Sequence, residues 1–162
     1  MKTVAAHLLD RLRIPYEVRE YAYSEDDLDA VTAAAKVGLP PERVFKTLVV
    51  RGDKTGVVMA CIPASADLDL KALAARSGNK RTEMVPVREL PGLTGYQRGG
   101  VSPLGGKGHA AVFIDESARG LDRVSVSAGR RGVQLLLSGA GLIRATGGRV
   151  ARLTRARAAG AD

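Results

Sequence analysis

The chain has 162 residues, of which 45% are hydrophobic, and its 25 basic and 17 acidic side chains give a formal charge of +8. This length and composition suit one folded domain with an aliphatic core and exclude a disordered basic tail. The chain has too few aromatic residues, with two Phe, four Tyr and no Trp, for a site that stacks several nucleic-acid bases. Its two His and one Cys are too few ligands for a zinc site that needs four of them.

The first part of the chain predicts a helix, a strand and a second helix. Apolar residues recur at helical spacing over residues 4–12, and a strand is expected over residues 16–20, after a proline. An acidic loop over residues 24–29 precedes an alanine-rich helix that ends near Lys36, before a glycine. The N-terminal segment lacks the long apolar run of a signal peptide, so a cytoplasmic location is expected.

A hairpin and a third helix are predicted next. Two β-rich runs, over residues 44–51 and 57–63, are joined by a short turn that contains glycine, which is typical of a hairpin. Asp69 is the expected N-cap of a helix over residues 70–76, which a glycine ends.

The second half begins with a long loop and then returns to strands. Residues 91–108 contain seven of the 19 glycines and little apolar periodicity, so they are predicted to be one loop, and loops of this length tend to be functional. Strands are then expected over residues 111–114, 123–127, 133–137 and 150–153, with a helix near residues 141–145. These elements predict an α/β domain with a mixed sheet over residues 1–155 and a C-terminal tail over residues 156–162.

Positive charge increases toward the C-terminus. The net charge is −3 for residues 1–30, +4 for residues 31–118 and +7 for residues 119–162. The last segment holds nine arginines, namely Arg119, Arg123, Arg130, Arg131, Arg144, Arg149, Arg152, Arg155 and Arg157. Guanidinium groups suit phosphate oxygens, so RNA or another polyanion is a candidate partner, while a solvated arginine-rich surface explains the charge equally well.

Lys46 is the most unusual residue of the predicted hairpin. Alternation along the strand places Lys46 on the same face as Val44 and Leu48, while the opposite face is also apolar. A cation there costs desolvation energy unless it has a partner. Lys46 therefore either extends its amine past the sheet edge or is a functional cation for an anionic or carbonyl ligand.

The glycine-rich segment over residues 99–106 reads GGVSPLGG. Its glycines allow the backbone to approach a ligand closely, so that successive N–H groups could meet a carbonyl or phosphate oxygen, and an ordinary flexible loop is the alternative. The segment is not a Walker loop, because the lysine and the metal-binding hydroxyl are missing at the required positions.

Nucleophilic side chains give little support to protein-based covalent catalysis. Ser102 lacks the Gly-x-Ser-x-Gly elbow and a histidine base, and a proline follows it. Cys61 lies in an apolar β-like run, which favours a buried, inert thiol. His7 and His109 have no identifiable partners and are expected at the surface.

Four segments together resemble the YbaK/EbsC family. They are the strand over residues 44–50 with its Phe-Lys-Thr, residues 67–74, residues 94–105 with Thr-Gly-Tyr and Gly-Gly-x-Ser-Pro-Leu-Gly, and residues 126–132. Each is weak alone, but their order and combination are specific. The resemblance runs from the first helix to about Val150, and it is closest to the free-standing Cys-tRNA(Pro) and Cys-tRNA(Cys) deacylase branch, which is related to the editing domain inserted in some prolyl-tRNA synthetases.

The resemblance implies a single α/β domain with a mixed, partly barrel-like sheet surrounded by helices. It also implies an enzyme of translation that removes a wrongly attached amino acid, Cys from tRNA(Pro), without a metal or cofactor. Lys46 would be the essential catalytic cation. The amides expected to hold the aminoacyl carbonyl belong to Gly100, Val101, Ser102 and Pro103. The remaining substrate-binding positions are Tyr21, Thr47, Ser127, Gly129 and Gln134.

In this branch of the family the substrate is expected to assist its own cleavage. The cysteine thiol attacks its own ester and leaves as a thiolactone, so no protein nucleophile is required. The expected partner is the acceptor end of tRNA(Pro), and no membrane is involved. The tRNA body is recognised either by the protein itself or through a bound prolyl-tRNA synthetase.

Two positions depart from the family pattern. Leu28 or Asp29 stands where the family often has an aromatic residue, and Gln134 stands where a pocket Asp occurs in a well-known member. Loss of that carboxylate weakens the case for recognition of the substrate's amino group. Deacylation of another small amino acid, Ala or Ser, is therefore one alternative, and a non-catalytic tRNA- or synthetase-binding module is another.

Overall fold

A computed structural model describes residues 2–106 and 110–156, and this part of the chain forms five α-helices and ten strands. The helices are α1 (Val4–Arg11), α2 (Ala30–Val37), α3 (Leu70–Ser77), α4 (Leu90–Thr94) and α5 (Gly139–Thr146). The strands are β1 (Glu17–Glu20), β2 (Phe45–Gly52), β3 (Gly56–Pro63), β4 (Ala66–Leu68), β5 (Thr82–Met84), β6 (Ala111–Asp115), β7 (Val124–Ser127), β8 (Val133–Leu137), β9 (Arg149–Ala151) and β10 (Thr154–Ala156).

The described strands form a five-stranded, a three-stranded and a two-stranded sheet. The five-stranded sheet has the order β5-β2-β3-β6-β9, in which β2 pairs antiparallel with β3 and β5, while β3, β6 and β9 run parallel. The three-stranded sheet has the order β1-β8-β7, and a bridge between Val44 and Ser125 joins it to the larger sheet. The fold is therefore mixed α/β as predicted, and its described ladders do not close into a barrel.

Local signals set the ends of the helices. The predicted N-cap is confirmed, because Asp69 Oδ1 accepts a hydrogen bond from the Ala72 N–H at 3.0 Å. Gly38 and Gly78 follow α2 and α3 with φ of +79° and +82°, a left-handed conformation that glycine adopts without strain.

Strand β2 has apolar packing on both faces. Phe45 and Val49 belong to the cluster that contains Leu9 of α1, while Val50 packs with Leu73 of α3 on the opposite face. The alternation predicted for this strand is therefore confirmed. Strand β2, which carries Lys46, therefore lies between two apolar cores.

The structure differs from the sequence prediction in several short elements. The first residues of the segment predicted as one long loop belong to α4, which begins at Leu90, has Pro91 in its first turn and is capped by Gly95. The short strands β4, β5 and β10 were not predicted, because their partners are distant in sequence: Ala66 pairs with Ala156. Of the predicted tail over residues 156–162, residues 157–162 lie outside the described part. No helix within the described ranges is long and apolar enough to cross a membrane.

Candidate functional site

A cavity of about 270 Å³ lies beside one edge of β2. Its walls come from β2, from α2, from the start of α4 and the segment before it, and from the strands β7 and β8. Most lining side chains are aliphatic, including Leu28, Ala33 and Val85. A mainly apolar cavity with a few polar groups is the usual form of a small-molecule site.

Six of the residues predicted for the site lie on the wall of this cavity. They are Tyr21, Lys46, Thr47, Val101, Ser127 and Gln134. They come from five separate parts of the chain, and β2, β7 and β8 bring them together. Lys46 is half-buried there.

Tyr21 and Gln134, which line the cavity, form a polar network with the buried Ser125. Ser125 Oγ donates to Gln134 Oε1 at 2.6 Å, and a side-chain hydrogen bond joins Gln134 to Tyr21. Burial raises the pKa of the Tyr21 phenol, and the hydrogen bonds from Gln134 and from the Gly132 backbone offset part of that rise. Tyr21 is therefore a neutral hydroxyl near neutral pH. Gln134 is buried and is held in one orientation by these partners.

The glycine-rich loop contributes less directly than predicted. Gly100 N–H donates to the Gln97 carbonyl at 2.9 Å, so this amide already has an acceptor. Ser102 is fully buried, and its Oγ accepts from the Leu104 N–H at 3.2 Å. Pro103 has no N–H and lines a different surface depression, beside α1. Among these four residues, only Val101 lines the cavity.

The loop after β7 is packed against the glycine-rich segment by Tyr96. Gly129 has φ of +98°, and a Cβ there would lie 2.8 Å from the Tyr96 ring. The Tyr96 hydroxyl donates to the Leu104 carbonyl at 2.8 Å, and Ser127 Oγ accepts from the Gly129 N–H at 3.1 Å. Gly129 thus supports the wall through packing and does not itself line the cavity.

Leu28, and not Asp29, lies on the rim of the cavity, at the position where the family often has an aromatic residue. Leu28 lines the cavity, and its side chain lies against Gly99, where a Cβ would come within 3.0 Å. Asp29 instead caps α2, since its Oδ1 accepts from the Val31 N–H at 3.2 Å. An aliphatic side chain therefore forms this part of the rim.

Two cations line the cavity, and none of its described lining residues is acidic. Besides Lys46, the exposed Arg98 borders it, and the Arg98 carbonyl accepts from Arg131 Nε at 2.8 Å. Sequence reasoning missed Arg98, because nothing in a glycine-rich loop distinguishes one exposed arginine from another. The charge of the cavity suits an anion or a group that develops negative charge.

Cys61 lies behind the site and is not available to it. The side chain is fully buried, and the Thr47 hydroxyl lies 3.6 Å from Cys61 Sγ. Burial raises the pKa of the thiol to about 12, and the hydrogen bond with Thr47 only partly opposes this. Cys61 is therefore an inert thiol. In the described part of the chain, no three His, Cys, Asp or Glu side chains converge as a metal site.

Several arginines of the basic C-terminal segment form ion pairs or hydrogen bonds with other parts of the protein surface. Arg123 pairs with Glu17, and Arg144 donates to the Leu12 carbonyl at 3.1 Å. Arg119, Arg130, Arg149 and Arg155 are exposed. Arg157 and His109 lie outside the described residues, while His7 is exposed on α1 as expected.

Comparison with known proteins gives one family and several relatives. The family model for the aminoacyl-tRNA editing domain matches residues 25–145. The chain is 42% identical over 153 residues to EbsC of Enterococcus faecalis, which covers 94% of this chain and 93% of that protein. The name of EbsC proposes a Cys-tRNA(Pro)/Cys-tRNA(Cys) deacylase activity. The uncharacterised protein YwhH of Bacillus subtilis is 28% identical over 131 residues, which is 81% of either chain.

Solved structures show the same fold. A protein described as a proposed trans-editing enzyme for prolyl-tRNA synthetase superposes with a TM-score of 0.77 at 26% identity, over 86% of this chain and 87% of that one. The hypothetical protein APE2540 superposes with a TM-score of 0.85 at 23% identity, over 94% and 99% of the two chains. The mixed α/β fold and the resemblance drawn from the sequence motifs are both confirmed.

Proposed function

The chain belongs to the aminoacyl-tRNA editing domain family, and we propose that it is a trans-editing aminoacyl-tRNA deacylase. The observation that carries this proposal is the cavity beside β2, which joins Lys46 and Arg98 to a small, mainly aliphatic space without an acidic lining residue in the described chain. Such a space fits a small amino acid and the anionic end of a nucleotide together.

Cysteine is the proposed amino acid and tRNA(Pro) the proposed carrier. The relative EbsC, at 42% identity, supports this choice through its name. The reaction begins when the substrate thiolate attacks its own ester carbonyl carbon. A carbon–sulfur bond forms, the carbon–oxygen bond to the ribose breaks, and the released ribose oxygen takes up a proton. The products are a thiolactone and the free tRNA.

The cavity residues have distinct roles in this reaction. Lys46 holds the terminal phosphate or the ester region, and with Arg98 it favours the thiolate over the thiol. Tyr21, Ser127 and Gln134 supply neutral polar groups for the aminoacyl end. Val101 and the packed glycine-rich loop close the cavity on another side, which orients the thiol toward its own ester.

A deacylation panel tests the proposal. Purified protein is incubated with Cys-, Ala- and Ser-charged tRNA(Pro) and with Cys-tRNA(Cys), and the remaining aminoacyl-tRNA is measured over time. We expect the two cysteinyl-tRNAs to be cleared faster than Ala-tRNA(Pro) and Ser-tRNA(Pro), because only cysteine carries a thiol. Faster clearance of Ala-tRNA(Pro) or Ser-tRNA(Pro) would assign the enzyme to another small amino acid.

Lys46→Met separates the charge from the packing of its stem. We expect kcat/KM to fall by about a hundredfold, while thermal stability stays near that of the native protein. Lys54→Met is the matched control, since Lys54 is exposed in the turn between β2 and β3, outside the cavity lining. Undiminished deacylation by Lys46→Met would remove Lys46 from the proposed site.

The basic surface favours a second candidate, a non-catalytic module that binds tRNA or a synthetase. The net charge of +8 supplies a long-range attraction for RNA whether or not the cavity is active. Salt-dependent tRNA binding without deacylation of any substrate in the panel would favour this function. A pull-down of prolyl-tRNA synthetase, with and without tRNA, tests the synthetase as a partner.

A further inference from the structure

The cavity occupies a gap in the pairing of β2. Along one edge β2 pairs with β3 over its whole length, but along the other edge β5 pairs only with residues Val50 to Gly52. Just before the opposite end of β2, an isolated bridge pairs Val44 with Ser125 of β7. Between these points no strand of the described chain pairs with this edge, and β2 residues 45–49 line the cavity.

The register fixes which backbone groups point into the gap. Phe45 lies opposite Pro63, which has no N–H, so this is a non-hydrogen-bonded pair. Val44, the adjacent residue, accepts from the Ala64 N–H at 2.7 Å. Alternation then turns the N–H and C=O groups of Phe45, Thr47 and Val49 away from β3.

A hydrogen bond at the end of the gap supports this orientation. The Val85 N–H donates to the Val49 carbonyl at 3.0 Å, on the side away from β3. Thr47 lies two residues earlier, so its N–H and C=O face the same way, at the middle of the gap. The side chains of Lys46 and Thr47 were predicted to matter, whereas this pair of backbone groups is invisible to sequence reasoning.

An aminoacyl group complements this pair of backbone groups. It carries an α-ammonium donor and a carbonyl acceptor on either side of one Cα, as a residue of a neighbouring strand does. Because the described lining has no carboxylate, the ammonium group needs a neutral acceptor. We propose that the aminoacyl group binds as a one-residue strand, with its ammonium on the Thr47 carbonyl and its ester carbonyl on the Thr47 N–H.

This inference rests on the proposed deacylase function and changes the source of the carbonyl contact. The Gly100 N–H is already bonded to Gln97, and Pro103 has none to offer. The Thr47 N–H lies on a rigid strand, which holds a donor in place better than a loop does. The Thr47 backbone binds the ammonium and carbonyl groups that all aminoacyl groups have, and the aliphatic walls restrict the size of the side chain.

Amide hydrogen exchange of the free protein tests the unpaired edge. We expect the Thr47 amide to exchange at least tenfold faster than the amides of Lys46 and Leu48, its neighbours, which pair with β3. A Thr47 amide as protected as those neighbours would overturn the proposal.

Ligand binding tests the contacts themselves. The probe is 3′-deoxy-3′-(L-cysteinylamino)adenosine, a non-hydrolysable amide analogue of the substrate end. Bound probe should shift the Thr47 amide resonance and slow its exchange about tenfold, and a probe with 3-mercaptopropionyl in place of cysteinyl should bind about tenfold more weakly. An unchanged Thr47 amide, or equal affinity for both probes, would overturn the backbone contact.

Deacylation of Cys-tRNA(Pro), measured in parallel, separates this proposal from the function on which it rests. Turnover with an unaffected Thr47 amide would reject the strand-edge contact and leave the deacylase intact. Absence of both turnover and probe binding would reject both proposals together.

Discussion

Replacing Cys61 with alanine tests whether the protein's own thiol has any part in the reaction. Cys61 is fully buried behind Thr47, and its pKa is raised from 9.0 to about 12. At pH 8 this displacement lowers the thiolate fraction about a thousandfold relative to an unfolded chain. We therefore expect a thiol reagent to label the native protein far more slowly than the urea-unfolded protein.

The raised pKa of the Cys61 thiol also predicts how the stability of the protein depends on pH in the alkaline range. The raised pKa corresponds to about 4 kcal/mol of native-state stability, which is present in full below pH 9 and is lost progressively between pH 9 and about 12. The loss occurs because the unfolded thiol releases its proton in this range while the buried thiol keeps it. In urea titrations between pH 8 and 10.5, the free energy of unfolding of the unsubstituted protein should fall by about 2 kcal/mol more than that of Cys61→Ala.

At pH 7.5 the variant separates packing from catalysis. Cys61→Ala should cost about 1–2 kcal/mol of stability through the vacated volume, and kcat/KM for Cys-tRNA(Pro) should stay within about twofold of the native value. Two results would refute this reasoning. One is rapid labelling of the native thiol, and the other is a large loss of turnover in a folded variant, which would make Cys61 a participant.

Two further substitutions separate the fold from the site. Asn79→Ala removes a buried amide whose oxygen accepts from the N–H groups of Lys54 and Thr55 at 2.8 and 2.9 Å. We expect chemical denaturation to show a free energy of unfolding lower by about 2–3 kcal/mol, with kcat unchanged. A fall in kcat in the folded protein would contradict this. Gly132→Ala forces a Cβ to within 2.7 Å of the Tyr21 carbonyl at φ of +79°, so KM should rise severalfold and stability fall by about 2 kcal/mol. An unchanged KM in steady-state deacylation would place Tyr21 outside the substrate contacts.

The elements that the sequence predicted well are those set by neighbours in the chain. The hairpin of β2 and β3, the Asp69 cap and the glycine that ends α2 depend on residues within a few positions of one another. The start of α4 also had a local signal, Pro91 with Gly95 beyond it, but the density of glycines around it favoured a loop.

The elements that the sequence did not predict depend on distant pairing. Strands β4 and β10 are three residues each and exist because residues 66–68 meet residues 154–156. The site follows the same rule. Lys46 was found from its local pattern, and the wall positions of Tyr21 and Gln134 from a resemblance, but the gap beside Thr47 exists only because β5 and β7 end where they do.

The unpaired edge of β2 also bears on how the protein avoids self-association. An exposed strand edge is a template on which another chain can add, and such addition leads to aggregation. Here the gap spans only about five residues and is walled by α2, β5 and the glycine-rich loop. A single aminoacyl group can enter that space, but the strand of a second protein cannot lie along it. The cavity proposed to bind the aminoacyl group therefore also keeps the N–H and C=O groups of this β2 edge from pairing with other copies of the chain.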